Sequence, residues 1–282
     1  MRVLIFGAGG QLGRDLLRVF QADHTVIGLT HSQVNIVEGE AVRLAFHDAR
    51  PDLVLNAAAY TDVEKAEEDE RGAFHVNANG AQRVAEAAAA IEAPVVYFST
   101  DFVFDGTKRA PYTPEDWPSP RGVYARSKLR GEENTRWGNP QSFVVRTAWL
   151  YGPGGNNFVE KILNGARTRA SLRVVDDEIG SPTYTRDLAA AALALVKTKA
   201  YGIYHAVNAG SCSRYEFARA IVEEAGLDTP VEPCSASEYP MKAARPAYSV
   251  LSNGKIEAAA GIVMPAWRDA LARYMKQREH TV

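Results

Sequence analysis

The sequence predicts an α/β fold, a doubly wound parallel sheet with a smaller C-terminal lobe, and three observations predict it. Short apolar runs alternate with longer helical patterns through residues 1–150, which is how a parallel sheet covered by helices reads. A glycine-rich GAGGQLG joins the first apolar run to the first helical stretch. After Tyr151 the alternation loosens, yet residues 202–206 read as a strand able to return to the first sheet.

The candidate strands are residues 2–6, 25–29, 53–56, 95–99 and 143–147, with helices over residues 12–20, 73–91 and 123–136 between them. Right-handed crossovers stack such units into one sheet. Gly152, Pro153, Gly154 and Gly155 then break the chain. The first domain is therefore residues 1–150 with a return segment near 176–210, and residues 151–175 and 211–282 form the substrate-binding lobe. Within that lobe residues 158–168 read as a helix, and Ser213 with Glu216 forms a capping box for another running to Ala225. The sequence contains no internal repeat and no linker.

Composition excludes several function classes. With 32 basic against 34 acidic residues and a net charge of -2, the chain lacks the basic excess of a nucleic-acid binder. The longest apolar stretch, residues 188–196, is far short of the roughly 20 residues of a membrane span, and reads as a buried helix face. MRVLIF runs straight into glycines, without the apolar core of about 7–15 residues of a signal peptide. Cys212 and Cys234 are too few for a disulfide framework or a zinc site, so a cytoplasmic location is expected.

Gly7, Gly10 and Gly13 give GxxGxxG at the end of the first strand. Glycine there permits a tight turn and close approach of the backbone to a pyrophosphate, which free N–H groups at the helix start favour. Gly7 and Gly9 give an opening GxG, but Leu12 stands where the third glycine of GxGxxG falls. The expected ligand is a dinucleotide, with Gln11 and Leu12 in the same turn, and the sheet is Rossmann-type. An acid at the end of the second strand would bond the adenosine ribose and exclude a 2′-phosphate. Here Leu29-Thr30-His31-Ser32 carries none, so NADPH or NADH is expected. His31 either faces the phosphate or is a surface histidine. Asn35 and Ile36 fall near the adenine, and Ala57, Ala58 and Ala59 after Asn56 are small where the cofactor passes the backbone, although packing alone also explains three alanines.

Tyr124 and Lys128, four apart, share a helix face. An ammonium about 5 Å from a phenol, at an effective dielectric near 20, favours the phenolate by about 3 kcal/mol, or a little over two pKa units. With 12 tyrosines in the chain the pair alone is weak evidence. Its position is what counts, one loop after Ser99-Thr100, where hydroxyl, phenol and ammonium converge at the C-terminal edge of the sheet. Gly131 permits close helix packing. Phe102 stands where a dehydratase of a related fold carries an acid or base, which favours reduction over removal of water. Residues 104–120, with four prolines, are either a substrate-facing lid or a surface excursion.

These residues resemble the extended short-chain dehydrogenase/reductases, and within them the dTDP-4-dehydrorhamnose reductases. The likeness covers nearly the whole chain and rests on GAGGQLG, NAAAYTDVEKAE, VNANGA with Asn77, STDFVFDG, YARSKLRGE, RTAWLYGPGGNNF and ARPAYSVL. It implies Thr100, Tyr124 and Lys128 as catalytic residues, with Asp101, Phe102, Trp149, Asn157 and Arg245 on the substrate side. Bottom-up, Trp149 is either an aromatic face for a base or a core tryptophan, and Arg245 either a diphosphate ligand or half of a surface salt bridge. Two departures stand out. The family usually has tyrosine where Phe102 stands, and the glutamates that bind magnesium in some members have no match here: Asp15 is the nearest candidate, with Arg186 where a second acid is expected. No metal is predicted.

The resemblance implies reduction of the C4 ketone of a dTDP-sugar, dTDP-4-dehydro-β-L-rhamnose, by a monomer or homodimer. The alternatives are reduction of another nucleotide-linked 4-keto sugar, a sugar-nucleotide epimerase, or a non-catalytic NADP-binding regulatory subunit.

Overall fold

Val3, Leu4, Ile5 and Phe6 are all fully buried, which a strand tolerates only when both faces of its sheet are covered. The computed structural model, which describes residues 1–239 and 241–279, places this strand, β1 (Arg2–Phe6), inside a six-stranded parallel sheet. Val3 and Ile5 face one core with Leu12, Leu16 and Phe20 of α1 (Gln11–Phe20). Leu4 and Phe6 face the other, with Val42 and Phe46 of α2 (Gly39–Ala49). Phe46 stacks on Phe6 with ring centroids 6.0 Å apart.

β1 pairs with β2 (Thr25–Leu29) on one side and β3 (Leu53–Asn56) on the other, and β4 (Val95–Thr100), β5 (Ser142–Thr147) and Gly202–His205 follow outward. The strand order therefore reverses between β1 and β3, and a crevice opens there at the carboxyl ends of the strands. Gly202–His205 pairs in parallel with β5, Gly202 opposite Phe143.

The structure departs from the sequence-based expectation in several helices, two of which flank the large sheet. None was predicted between β2 and β3, where α2 lies. It has three buried positions, no side-chain N-cap and a glycine in its first turn. The single helix predicted over residues 73–91 is three pieces: Glu70–Phe74, a π-helical turn His75–Gly80, and Ala81–Ala89. Asn77, inside that turn, bonds both backbone polar groups of Tyr60 and the Ser127 hydroxyl. The widened turn thus ties the segment after β3 to the Val123–Gly138 helix.

The second lobe has its own aromatic core, in which Tyr151 packs on Tyr184, Phe217 and Tyr274. Around it lie Phe158–Thr168, Arg214–Glu224 with the predicted capping box on Ser213, and Trp267–Glu279. Ile256 and Met264 are buried in the core of the large sheet instead, so the C-terminal stretch serves both cores. The apolar stretch at 188–196 is the end of the helix Thr185–Val196, with Leu188 and Leu195 buried. No helix among the described residues is long and apolar enough to cross a membrane. Residues 104–120 do not line the dinucleotide cleft described below. Tyr112 donates its N–H to the Val250 carbonyl at 2.8 Å and stacks on Phe104 at 4.2 Å, pinning the loop to the late segment.

His205 is fully buried, with Nδ1 3.1 Å from the Tyr112 carbonyl and Nε2 unpartnered. Burial, with the Arg146 guanidinium second, pushes its pKa from 6.5 down to about 3. The unfolded chain then binds this proton more readily, so the stability it confers is whole above about pH 6.5 and is lost as pH falls toward about 3. Between about pH 7 and pH 5 this group alone costs about 2 kcal/mol. Denaturant unfolding at the two pH values is expected to show that loss in the wild type and a smaller one in His205→Gln.

Candidate active site

A cleft of about 1010 Å³ opens at the carboxyl end of β1 and β3. Every residue predicted for the cofactor lines it: Gly7, Gly10, Gln11, Leu12, Gly13, Asn35, Ile36, Ala57, Ala58, Ala59, Tyr124 and Lys128. The glycines differ in what they permit. Gly7 has φ of 77°, and a Cβ there would lie 2.6 Å from the Ala58 nitrogen; a Cβ on Gly13 would lie 2.2 Å from the Gly7 oxygen. The first is a conformational need and the second lets α1 sit close to the strand it follows. Gly10 is the N-cap of α1 and has no side chain to bond the first N–H groups of the helix, which leaves them for an anion.

At the end of β2, Thr30, His31 and Ser32 line the cleft with no carboxylate among them. Gln33 Oε1 accepts from the Thr30 backbone and hydroxyl, both at 2.9 Å, and so shapes the turn. Farther in, Ser99 Oγ and Thr147 Oγ1 are buried without hydrogen-bond partners, and their residues line the cleft together with Lys128. Orphaned buried polar atoms are costly, and a polar ligand satisfies them. The glycine turn, the uncapped helix start and these hydroxyls together fit a nicotinamide dinucleotide. Sequence reading missed Thr147 and Tyr60 as cleft residues: Thr147 is set opposite Thr100 by the sheet register, and Tyr60 lies in the segment that follows β3.

The three candidate reacting groups converge. Lys128 is buried, donates from Nζ to the Phe98 carbonyl at 2.6 Å and sits 4.1 Å from the Tyr97 ring centroid. The Tyr124 hydroxyl lies within hydrogen-bonding reach of Thr100. Thr100 donates to Asp101 Oδ1 at 3.1 Å and accepts from the Phe102 N–H at 3.2 Å. Gly131 allows the helix to approach: a Cβ there would lie 2.1 Å from the Asn77 oxygen and 2.2 Å from the Tyr97 hydroxyl. Phe102 meets Tyr124 edge to face at 5.9 Å.

The electrostatics correct one expectation. Lys128 was expected to draw Tyr124 toward neutrality, but burial pushes the phenol up to about 12, with Thr100 pulling it down and Asp101 pushing it up. Burial also pushes Lys128 down to about 7, against the pull of Glu132. A desolvated lysine pointed at a carbonyl holds too little charge to offset the burial of its neighbour. Tyr124 is therefore a protonated phenol, the form that can donate.

The substrate-side residues are less uniform than the resemblance implies. Asp101 is buried and Oδ2 has no hydrogen-bond partner. Burial raises it to about 6, against the nearby Ser249 hydroxyl and Arg214 guanidinium. Trp149 has φ of 48° and carries the Arg214 guanidinium 3.5 Å from a ring centroid. A Cβ on Gly180 would lie 2.5 Å from the indole. Trp149 is thus neither a free face nor a plain core residue, but the shelf on which Arg214 rests. Arg245 pairs with Glu64 at 3.3 Å while its Nε is buried without a partner. Asn157 sits apart from this group, at the N-cap of Phe158–Thr168, with Nδ2 3.4 Å from Gln11 Oε1. Arg214 was missed because the capping box marks only where its helix begins, and the sequence does not reveal what that end faces.

Asp15 is buried and accepts from Thr185 Oγ1 at 2.5 Å, joining α1 to Thr185–Val196, and burial raises its pKa. No group of three His, Cys, Asp or Glu able to hold a metal occurs among the described residues.

A dinucleotide cleft lined by a Tyr–Lys pair, with a threonine hydroxyl in reach of the tyrosine, defines a class, the nicotinamide-dependent oxidoreductases. The chain belongs to the RmlD family within it: the family model described as the RmlD substrate binding domain matches residues 1–280. It is 46% identical over 278 residues to the spore coat polysaccharide biosynthesis protein SpsK of Bacillus subtilis, covering 98% of each chain. It is 43% identical over 280 residues to the dTDP-4-dehydrorhamnose reductase of Mycobacterium tuberculosis, covering 96% of this chain and 91% of that one. The crystal structure of dTDP-4-dehydrorhamnose reductase from Bacillus anthracis in complex with NADP superposes with a TM-score of 0.95 at 37% identity, covering 98% and 99% of the two chains.

Proposed function

We propose that this oxidoreductase reduces the C4 ketone of dTDP-4-dehydro-β-L-rhamnose to dTDP-β-L-rhamnose, with NADPH or NADH. The observation that carries the reading is that Tyr124, within hydrogen-bonding reach of Thr100, and Lys128 line the same dinucleotide cleft, in a chain similar throughout to dTDP-4-dehydrorhamnose reductases. A bound reduced nicotinamide supplies the hydride. Tyr124 gives its proton to the ketone oxygen, so hydride and proton together make the alcohol. Thr100, whose own hydrogen goes to Asp101, orients the Tyr124 hydroxyl toward the ketone. Lys128, fixed by the Phe98 carbonyl, holds the cofactor ribose and lowers the cost of the phenolate that follows proton transfer. Asp101 Oδ2 accepts from a sugar hydroxyl, and Arg245 faces the diphosphate.

Phe102 supports reduction over dehydration. It packs on Tyr124 and brings no acid or base to the sugar. A reductase must exchange its cofactor at each turnover, whereas an epimerase retains and recycles it. Purified protein given the 4-keto sugar nucleotide is expected to turn over only with added NADPH or NADH, consuming one per alcohol formed. Turnover without added cofactor, or no loss of reduced-nicotinamide absorbance, would defeat the proposal.

A further inference from the structure

The second lobe reaches the dinucleotide cleft through the turn 152–157, where Gly154, Gly155 and Asn156 share the lining with the glycine loop. This turn is pressed onto α1. A Cβ on Gly155 would lie 2.3 Å from Gln11 Oε1, and one on Gly154, which has φ of 74°, would lie 2.7 Å from Arg14 Nη1. Both α1 side chains are themselves held: Arg14 donates from Nε to the Gly9 carbonyl at 3.1 Å, and Gln11 from Nε2 to the Leu150 carbonyl at 3.3 Å.

Asn157 is the fastening. Its carboxamide is buried, and Oδ1 accepts from the Glu160 N–H at 3.2 Å, capping the helix Phe158–Thr168. Nδ2 turns back to three oxygens: Gly152 O at 3.1 Å, Gly155 O at 3.3 Å and Gln11 Oε1 at 3.4 Å. One side chain thereby joins the second lobe's helix, the turn and the start of α1, where uncapped N–H groups await an anion.

We propose that the turn 152–157 is a roof over the dinucleotide's diphosphate, and that Asn157 is the positioning residue that fastens it. Cofactor affinity is then set in part from the second lobe. The proposal rests on the dinucleotide reading of the cleft and not on which sugar is reduced.

Asn157→Asp separates the two jobs of this side chain. Aspartate caps a helix as well as asparagine does, but it presents an acceptor where the three oxygens need a donor. NADPH binding, measured directly by quenching of protein fluorescence, is expected to weaken about tenfold in Asn157→Asp, with the thermal midpoint little changed. Gly155→Ala, which displaces Gln11, is expected to weaken it in the same direction. Wild-type affinity in both variants overturns the proposal. So does a rise in sugar-nucleotide KM with NADPH affinity intact, which would put Asn157 on the substrate side. Loss of near-UV dichroism in both variants would mark a purely structural residue and also overturn it. Failure of the substrate reading looks different, because the wild type would bind NADPH and leave it unoxidised in the presence of the 4-keto sugar nucleotide.

Discussion

Tyr124→Phe is expected to lower turnover by about two to four orders of magnitude, a far larger loss than any in NADPH affinity. The substitution removes one oxygen from a ring that packs edge to face on Phe102, so the packing of the site persists. What is lost is the proton. Thr100 cannot replace it, because its own hydroxyl hydrogen is directed to Asp101, and Lys128 is turned to the Phe98 carbonyl. Steady-state turnover together with direct NADPH titration checks both halves. Wild-type turnover in this variant would remove Tyr124 from the chemistry.

Glu132→Ala is expected to cost about 3–5 kcal/mol of stability, because it strands a buried charge. Arg146 on β5 and Glu132 on the Val123–Gly138 helix are both about 2% exposed, and Nε and Nη2 reach the carboxylate at 2.9 and 2.7 Å. Arg146 Nη1 has no partner, and its guanidinium lies 5.1 Å from the Phe104 ring centroid. Among the described residues no other carboxylate pairs with it. Replacing both residues by apolar ones of similar size, Glu132→Leu with Arg146→Met, is expected to restore most of the loss. Denaturant midpoints of the single and double variants decide the matter, and a single-variant cost below about 1 kcal/mol would contradict the account. Glu132 also stands one turn from Lys128 and helps hold its proton, so the same pair links the core to the reacting centre.

Much of this was legible in the sequence because local chemistry and global fold agree there. The main strands show in their unbroken apolar runs, and GAGGQLG shows because backbone close to backbone admits nothing larger than glycine at Gly7 and Gly13. Tyr124 and Lys128 show through order along the chain, Thr100 first and the helix after. What escaped is set by burial and distance. The helix α2 has few buried positions to betray it. The π-helical turn at Asn77 is imposed by Tyr60 and Ser127, each far off in sequence. The acidity of Tyr124 was misjudged because spacing supplies the lysine's distance but not the water both groups lose. Arg214 on Trp149 and Asn157 against Gln11 join segments that no local pattern connects.

The step we propose for this chain is delivery of hydride and proton to C4 of a dTDP-linked 4-keto-6-deoxysugar. The measurement that tests it most directly is incubation of the purified protein with dTDP-4-dehydro-β-L-rhamnose and NADPH, with oxidation followed optically and the product identified by NMR. Equimolar NADPH loss and a single product, dTDP-β-L-rhamnose, are expected. No oxidation, or a product still bearing the C4 ketone, would contradict the proposal.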